Sequence, residues 1–588
     1  MHQIRIALAQ INSTVGDFDG NIVKIVAGIE AAQDLSADIV AFPELALTGY
    51  PPEDLTFNPD FLRANARALG EVAEAAAEIV AVVGFLDAPG EIYNAGAVIS
   101  GGSVAGVCHK IKLPNYGVFD EFRYFSAGGR PLVFELGGSC IGLNICEDIW
   151  YPDEPIGSQV AAGADLILNI SSSPYRVRRT GTREEMLETR SRDYLTPVAY
   201  VNMVGGQDEL IFDGNSLVYD EHGRLLARGK SFEEDLIVVD IDLDEVRISR
   251  QRDTSGRRLA MTERHPGPVD RIVVNLPRKF DTEGERRRPE YIEAHLPQPL
   301  SDEAEVYRAL VLGVRDYVQK NGFARVLIGL SGGVDSSLTA VVAVDALGKE
   351  SVVGVSMPSR FTSEGTRSDA QTLAERLGID FRTAPIEPVF TAFLEDLKPQ
   401  FDNLPADVTE QNLQARIRGN ILMALSNKFG WLVLTTGNKS ETSVGYSTLY
   451  GDMAGGFAVI KDVPKTMVYD LCRYRNSLGD KIIPQSVIDR EPSAELAEGQ
   501  KDQDTLPPYE ILDRIIEGYV EFDHSLKEMV AAGLDEATVR NVIRMIDCNE
   551  YKRRQAPPGI KITSRAFGKD RRFPITNRFW TARKPEVG

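Results

Sequence analysis

Two series of short apolar runs alternating with longer helical segments, separated by a charged stretch of little periodicity, constrain this chain more than any other feature. From residue 4 to about 245, runs such as IRIALAQ, DIVAFPEL, IVAVVGFL and DLILNIS have the length and β-branched content of strands. Helical segments near 21–35, 61–78 and 182–195 interrupt them. Such alternation predicts a layered α/β domain, because every apolar sheet face must be covered. From about 250 the texture changes to RQRDTSGRR, RHPGPVD, GERRRPE and LPQPL, rich in charge, proline and glycine. A second series starts with a helix near 303–320 and runs through RVLIGL, SSLTAVVAVDAL and VVGVSMP to a long helix near 409–429 and WLVLTT. Strand–loop–helix units of this kind predict a parallel sheet. At 588 residues the chain exceeds one ordinary core, and it divides into domains at 1–250 and 301–588 with a linker at 251–300.

Composition narrows the function. A net charge of -21 argues against nucleic acid or an anionic membrane as the main partner. No run approaches the roughly 20 apolar residues of a membrane helix, and no basic leader precedes an apolar stretch. The five cysteines, Cys108, Cys140, Cys146, Cys472 and Cys548, are scattered without CxxC pairs, which speaks against zinc and fits a reducing cytoplasm.

The sharpest local motif is SGGVDSS, Ser331 to Ser337, between the strand ending Gly329-Leu330 and a helix whose first turn holds Ser336. Unpaired amides and the positive dipole end of that helix would attract phosphate, and Gly332 and Gly333 would let the backbone approach it. The spacing and lysine of a Walker A loop are absent. A glycine turn before a helix is the alternative, and the strand–loop–helix setting disfavours it. SGGxDS resembles the pyrophosphate loop of the ATP pyrophosphatases, which cleave ATP to AMP and pyrophosphate on a doubly wound parallel-sheet, adenine nucleotide hydrolase-like fold. The resemblance implies that Gly329 to Ser336, Val334 included, hold ATP and that Asp335 helps place Mg²⁺.

Substrate choice within that group comes from TTGNKSE, Thr435 to Glu441, directly after WLVLTT and so at a carboxyl strand end. It is similar to the NAD synthetase segment. By position, Thr436 would contact ATP and Glu441 would bind Mg²⁺ beside the substrate. Asp452 follows eleven residues later and Lys465 thirteen after that, keeping the family's spacing for contacts to deamido-NAD and to ATP phosphate. Asn412 and Arg416 in QNLQARIRG, with Lys552 and Arg553 in YKRRQAPPGIK, match further deamido-NAD contacts. Taken singly, Asp452 reads as a turn residue and the KRR run as a solvated face; their joint order favours the ligand reading.

The first series carries three separated signals: FPELALTGY with Glu44, CHKIKLPNYGVFDEFRYF with Lys110, and LNICEDIW with Cys146. A thiol near pKa 8.5 needs a base, a carboxylate can relay its proton, and a preplaced cation can stabilise an oxyanion. Together the three resemble the nitrilase superfamily, an αββα sandwich whose Glu–Lys–Cys site hydrolyses non-peptide amides. That resemblance selects Lys110 over Lys112, adds Glu121 as a further carboxylate, and implies glutamine contacts from Tyr116, Ser173 and Arg179, although lysine often stands where Arg179 does. The remaining cysteines read as small buried hydrophobes, and His109 as a packing or surface residue.

Nearly the whole chain thus resembles the glutamine-dependent NAD synthetases. The resemblance implies glutamine, ATP and deamido-NAD as substrates, Mg²⁺ as cofactor, ammonia passing between two sites, and an oligomer, at least a dimer through the synthetase domain. GMP and asparagine synthetases share the pyrophosphate loop but pair it with other glutaminases, one needing an N-terminal cysteine that Met1-His2 does not supply. A silent glutamine or nucleotide sensor is the alternative of another class; Cys146, Glu44, Lys110, Asp335 and Glu441 argue against it.

Overall fold

Strand β1 (Gln3–Gln10) is buried at every position after its first, so its sheet is covered on both faces. The computed structural model describes residues 3–253, 267–274, 296–402 and 404–579. These form two compact units, 1–207 with 211–300, and 208–210 with 301–588.

In the first unit β1 is followed by β2 (Ile39–Ala41), β3 (Val80–Asp87), β4 (Tyr93–Ser100), β5 (Ser103–His109), β6 (Leu132–Leu136), β7 (Ser139–Ile145), β8 (Leu166–Ser171) and β9 (Val198–Asn202). A short hairpin, β10 (Val204–Gln207) and β11 (Leu210–Asp213), precedes β12 (Leu217–Tyr219), β13 (Leu225–Arg228), β14 (Asp235–Asp242) and β15 (Asp270–Val274). One sheet has the order β14-β1-β2-β3-β4-β5 and the other β13-β12-β9-β8-β7-β6-β15. Strand period decides which side chains meet between them: Leu166, Leu168 and Ile170 of β8 pack with Ile6, Val80 and Val82 of the first sheet. Ile167, one residue out of phase, packs with Leu187 of the helix Arg179–Tyr194 on the outer face. Helices Phe18–Asp34 and Pro59–Ala75 cover the other sheet, completing four layers. The stretch expected as a linker contributes β15, which pairs in parallel with β6 from Asp270↔Leu132 to Val274↔Leu136. Residues 254–266 and 275–295 of that stretch lie outside the described residues.

The second unit is built on a parallel sheet, β18-β17-β16-β19-β20, formed by β16 (Val326–Gly329), β17 (Val352–Ser356), β18 (Asp380–Thr383), β19 (Leu432–Thr435) and β20 (Phe457–Ala458). The order reverses between β16 and β19, and a crevice opens at such a point beyond the carboxyl ends of the strands. SGGVDSS leaves β16 and TTGNKSE leaves β19, so the topology brings both motifs to that crevice.

Candidate active sites

In the first unit three strand ends deliver Glu44, Lys110 and Cys146. The expected strand DIVAFPEL stops at Ala41, and the chain turns through Glu44 with Leu45 at φ 49°. Gly84 on β3 permits this: a Cβ there would stand 2.3 Å from both Pro43 O and Leu45 N. Lys110 follows β5 directly, and Cys146 follows β7 at φ 44°, opening a 3₁₀ turn to Trp150. Positive φ is uncommon for a residue with a Cβ, and here it turns the thiol off the end of a buried strand.

All three side chains are buried. Lys110 Nζ donates to Glu44 Oε1 at 2.6 Å and to Glu121 Oε1 at 2.8 Å. Asn94 Nδ2 and the Ser172 amide donate to the two oxygens of Glu44 at 2.7 and 2.9 Å, and the Tyr50 hydroxyl donates to Glu121 at 3.0 Å. Lys112, the other lysine of the motif, instead lies 4.9 Å from the Tyr151 ring. Burial works against the Lys110 ammonium, but Glu121 and Glu44 outweigh it and hold its pKa above the usual value. Burial pushes the Glu121 carboxyl up to about 7, with Lys110 opposing. The Cys146 thiol is pushed up by burial and then by the charge of Glu44, while Lys110 and a hydrogen bond with Ser171 oppose. Glu44 is the carboxylate whose charge acts on the thiol most.

Asp148 has a role that no local motif announces. Its Oδ1 accepts from the amides of Ile111 at 3.1 Å and Lys112 at 2.7 Å, and its Oδ2 accepts from Ile145 N at 3.0 Å. One buried carboxylate thus ties the residues after Lys110 to the residue before Cys146. Around the nucleophile, Glu147 accepts from the Tyr116 hydroxyl at 2.9 Å, and the Arg179 guanidinium lies 4.1 Å from the Trp150 ring. Ser173 is buried, its amide held by Asn202 Oδ1 at 2.9 Å. A carboxylate and a guanidinium beside a thiol can match the ammonium and carboxylate of an amino acid whose side-chain amide reaches the sulfur.

In the second unit the phosphate-loop geometry is set by Gly332. It has φ 85°, and a Cβ would stand 2.1 Å from Thr366 O. Gly333 caps the helix Val334–Leu347, its amide donating to Ser331 Oγ at 3.2 Å, while Ser336 Oγ lies 3.0 Å from Ser331 Oγ. Across the crevice Asn438 caps the helix Lys439–Val444 by accepting from Glu441 N at 3.0 Å, and its amide donates to Asp335 Oδ1 at 3.0 Å. Lys465 Nζ bridges Asp335 Oδ2 and Glu441 Oε1, the latter at 3.3 Å. Burial raises the Glu441 carboxyl to about 8, with Lys465 opposing and Asp335 and Asp502 adding to the rise. Two adjacent cavities open here. One, of about 270 Å³, is lined by Gly332, Gly333, Val334, Asp335, Glu441 and Lys465 among others. The other, of about 180 Å³, is lined by Gly329, Leu330 and Thr436, and both include Ser331 and Asp452.

Residues 5–251 match the carbon-nitrogen hydrolase family, and residues 306–556 match NAD synthase. End to end, the chain is similar to the glutamine-dependent NAD(+) synthetase of Thermotoga maritima, 51% identical over 586 residues covering 98% of this chain and 99% of the relative. The corresponding protein of Aquifex aeolicus is 48% identical over 579 residues, covering 98% and 100%. The chain belongs to the glutamine-dependent NAD(+) synthetase family. The solved structure of the Acinetobacter baumannii glutamine-dependent NAD+ synthetase in complex with adenosine diphosphate matches the fold with a TM-score of 0.74 at 42% identity, covering 99% of this chain and 100% of that one.

The remaining expected synthetase residues lie outside the two cavities. Asn412 accepts from Thr448 Oγ1 at 2.7 Å, Arg416 donates to Leu449 O at 3.2 Å, and Lys552 donates to Gly445 O and Ser447 O at 2.7 and 2.9 Å. With Asp452, which accepts from Thr448 N at 2.9 Å, they gather around the loop 445–452. Arg553 is occupied internally: it donates to Ser443 O, Ile546 O and Glu550 and is buried. Arg490, not singled out in the sequence, lines the larger cavity and donates to Gly332 O at 3.2 Å while paired with Asp369.

Proposed function

We propose that this enzyme makes NAD from deamido-NAD, ATP, glutamine and water, releasing AMP, pyrophosphate and glutamate. What carries this reading is the end-to-end match at 51% identity to a synthetase of that name. In the first unit Cys146 attacks the glutamine amide carbon as Glu44 takes the thiol proton, and Lys110 faces the oxyanion. Glu44 returns the proton to the departing ammonia, and then draws one from water to release glutamate. Tyr116, Glu147, Ser173 and Arg179 orient the amino acid.

In the second unit SGGVDSS holds the β- and γ-phosphates at the helix N-terminus. Asp335 and Glu441 suit Mg²⁺, which takes few protein carboxylates alongside phosphate oxygens and water, and their shared contact with Lys465 marks a place where positive charge is already accommodated. When bound, the ion supplies charge neutralisation on the phosphates. Lys465, which pairs with Asp335 of that loop and with Glu441, can turn toward a phosphate oxygen. The nicotinate carboxylate attacks the α-phosphate, and ammonia then displaces AMP from the acyl adenylate. The ammonia freed in the first unit is the nitrogen consumed at this centre.

Separability tests the division of labour. Cys146→Ala is expected to abolish glutamine-dependent synthesis while ammonium-dependent synthesis continues, and Asp335→Ala to remove both. AMP release with each nitrogen source is the measurement, and loss of the ammonium reaction in a folded Cys146→Ala protein would contradict two independent sites.

A further inference from the structure

The two synthetase cavities share a cation that no motif assigned. Arg418, on the helix Val408–Phe429, lines both. Its Nε donates to Met357 O at 3.1 Å, just past the carboxyl end of β17, which fixes the plane of the guanidinium. Other cations nearby are already engaged: Lys465 by Asp335 and Glu441, Arg490 by Asp369, and Arg416 by a loop carbonyl on the exposed side of the same helix. Among the described residues Arg418 makes no ion pair. The carboxylate whose charge reaches it, Glu495, accepts the Thr366 hydroxyl at 2.8 Å. Desolvation pushes its guanidinium down to about 10, with Glu495 opposing. Arg418 is half-buried, and a guanidinium drawn partly out of water favours an anionic partner.

Its position says which anion. The smaller cavity lies at the carboxyl ends of β16 and β19, where Gly329, Thr435 and Thr436 leave room for a nucleoside. The larger one lies over SGGVDSS, the loop that the ATP-dependent reading assigns to the β- and γ-phosphates. The phosphate between those two parts of ATP is the α-phosphate, and Arg418 stands where the two cavities adjoin. We propose that Arg418 grips the non-bridging oxygens of the α-phosphate and stabilises their charge as the adenylate forms, an inference that rests on the ATP-dependent reading above. In that step a bond forms between a nicotinate carboxylate oxygen and the α-phosphorus. The bond from that phosphorus to the oxygen bridging the β-phosphate breaks, its electron pair leaves with pyrophosphate, and no proton is transferred. A planar fork fixed by Met357 O meets two phosphoryl oxygens as a point charge cannot.

The test uses the full chain with ammonium as nitrogen donor, so that the amidase unit is not limiting. Arg418→Gln is expected to lower kcat for AMP formation about 100- to 1,000-fold, the loss typical of one preplaced transition-state donor, with the KM for ATP raised less than about 10-fold. Exchange of labelled pyrophosphate into ATP in the presence of deamido-NAD should fall in parallel, while glutaminase activity and the melting temperature stay near wild type. Arg418→Lys should recover little of the exchange rate, and it carries the test should the glutamine variant fail to fold. The proposal is overturned if either folded variant keeps kcat within about 3-fold of wild type, or if the whole loss appears in KM. A wild-type enzyme that forms no AMP from ATP and deamido-NAD would instead overturn the functional reading itself, a result read in the control before any variant is made.

Discussion

The amidase and synthetase sites differ in how much of their chemistry is assembled before a substrate arrives. At the first, Lys110 already lies between Glu44 and Glu121, Glu44 holds two further donors, and Cys146 sits at a positive-φ elbow. At the second, the glycine loop faces open cavities, and Lys465 occupies the two carboxylates that are candidates for a metal. The difference follows from the ligands. A small neutral amide contributes little binding energy, so its site must be preorganised by the protein. A nucleotide carries its own charge, so part of the second site's electrostatics is left for the ligand to complete. Arg418 and Lys465 are the side chains on which that completion falls.

The contrast can be broken at the buried lysine. Lys110→Met leaves two buried carboxylates facing each other without their cation, and removing one partner of such a pair costs about 3–5 kcal/mol. Denaturant unfolding of the first unit should register that loss together with loss of glutaminase, whereas Lys465→Met should destabilise the protein far less because its partners line an open cavity. Equal losses in the two variants would erase the distinction.

A smaller effect sharpens the same comparison. Asp148→Asn keeps the shape but weakens the acceptor that aligns Ile111, Lys112 and Ile145. Glutaminase kcat should fall about 10- to 100-fold, the scale of a misplaced catalytic group, with ammonium-dependent synthesis untouched. Steady-state assays with the two nitrogen sources decide it, and equal loss in both would assign Asp148 to general folding.

The smallest effect is in pH. Burial pushes the Glu121 carboxyl above the ordinary value of 4.5, up to about 7, with Lys110 opposing. Its protonated form is therefore favoured by folding, and its contribution to stability is present below the unfolded carboxyl range and lost as pH rises through about 7. Glu121→Gln should flatten the decline in melting temperature over that interval. An unchanged slope would show that the proton resides elsewhere.

What could be read from the sequence follows the range of the interactions. Glu44, Lys110 and Cys146 stand in their own short motifs, and SGGVDSS carries its strand, turn and helix within a dozen residues. Both α/β series were legible for the same reason, since strand and helix periods are local. Asp148 could not be assigned, because its partners at Ile111 and Lys112 are 37 and 36 residues away. Arg416 and Arg418 illustrate a second limit. Residues two apart on a helix point about 200° apart, so one arginine meets the loop carbonyl of Leu449 and the other the cavity. The helix Val408–Phe429 has few buried positions, and its pattern does not say which face looks inward. β15 was hidden for a third reason: its residues are mostly exposed at a sheet edge, so they lack the apolar alternation of a core strand.

The central claim is that nitrogen released at Cys146 is consumed at the adenylate in the second unit. The direct measurement is to supply glutamine labelled with ¹⁵N in its side-chain amide, together with deamido-NAD, ATP, Mg²⁺ and an excess of unlabelled ammonium, and to weigh the NAD formed. The account predicts NAD carrying the label in its carboxamide, with one AMP per NAD. Unlabelled NAD alone, or label released as ammonium without AMP, would contradict it.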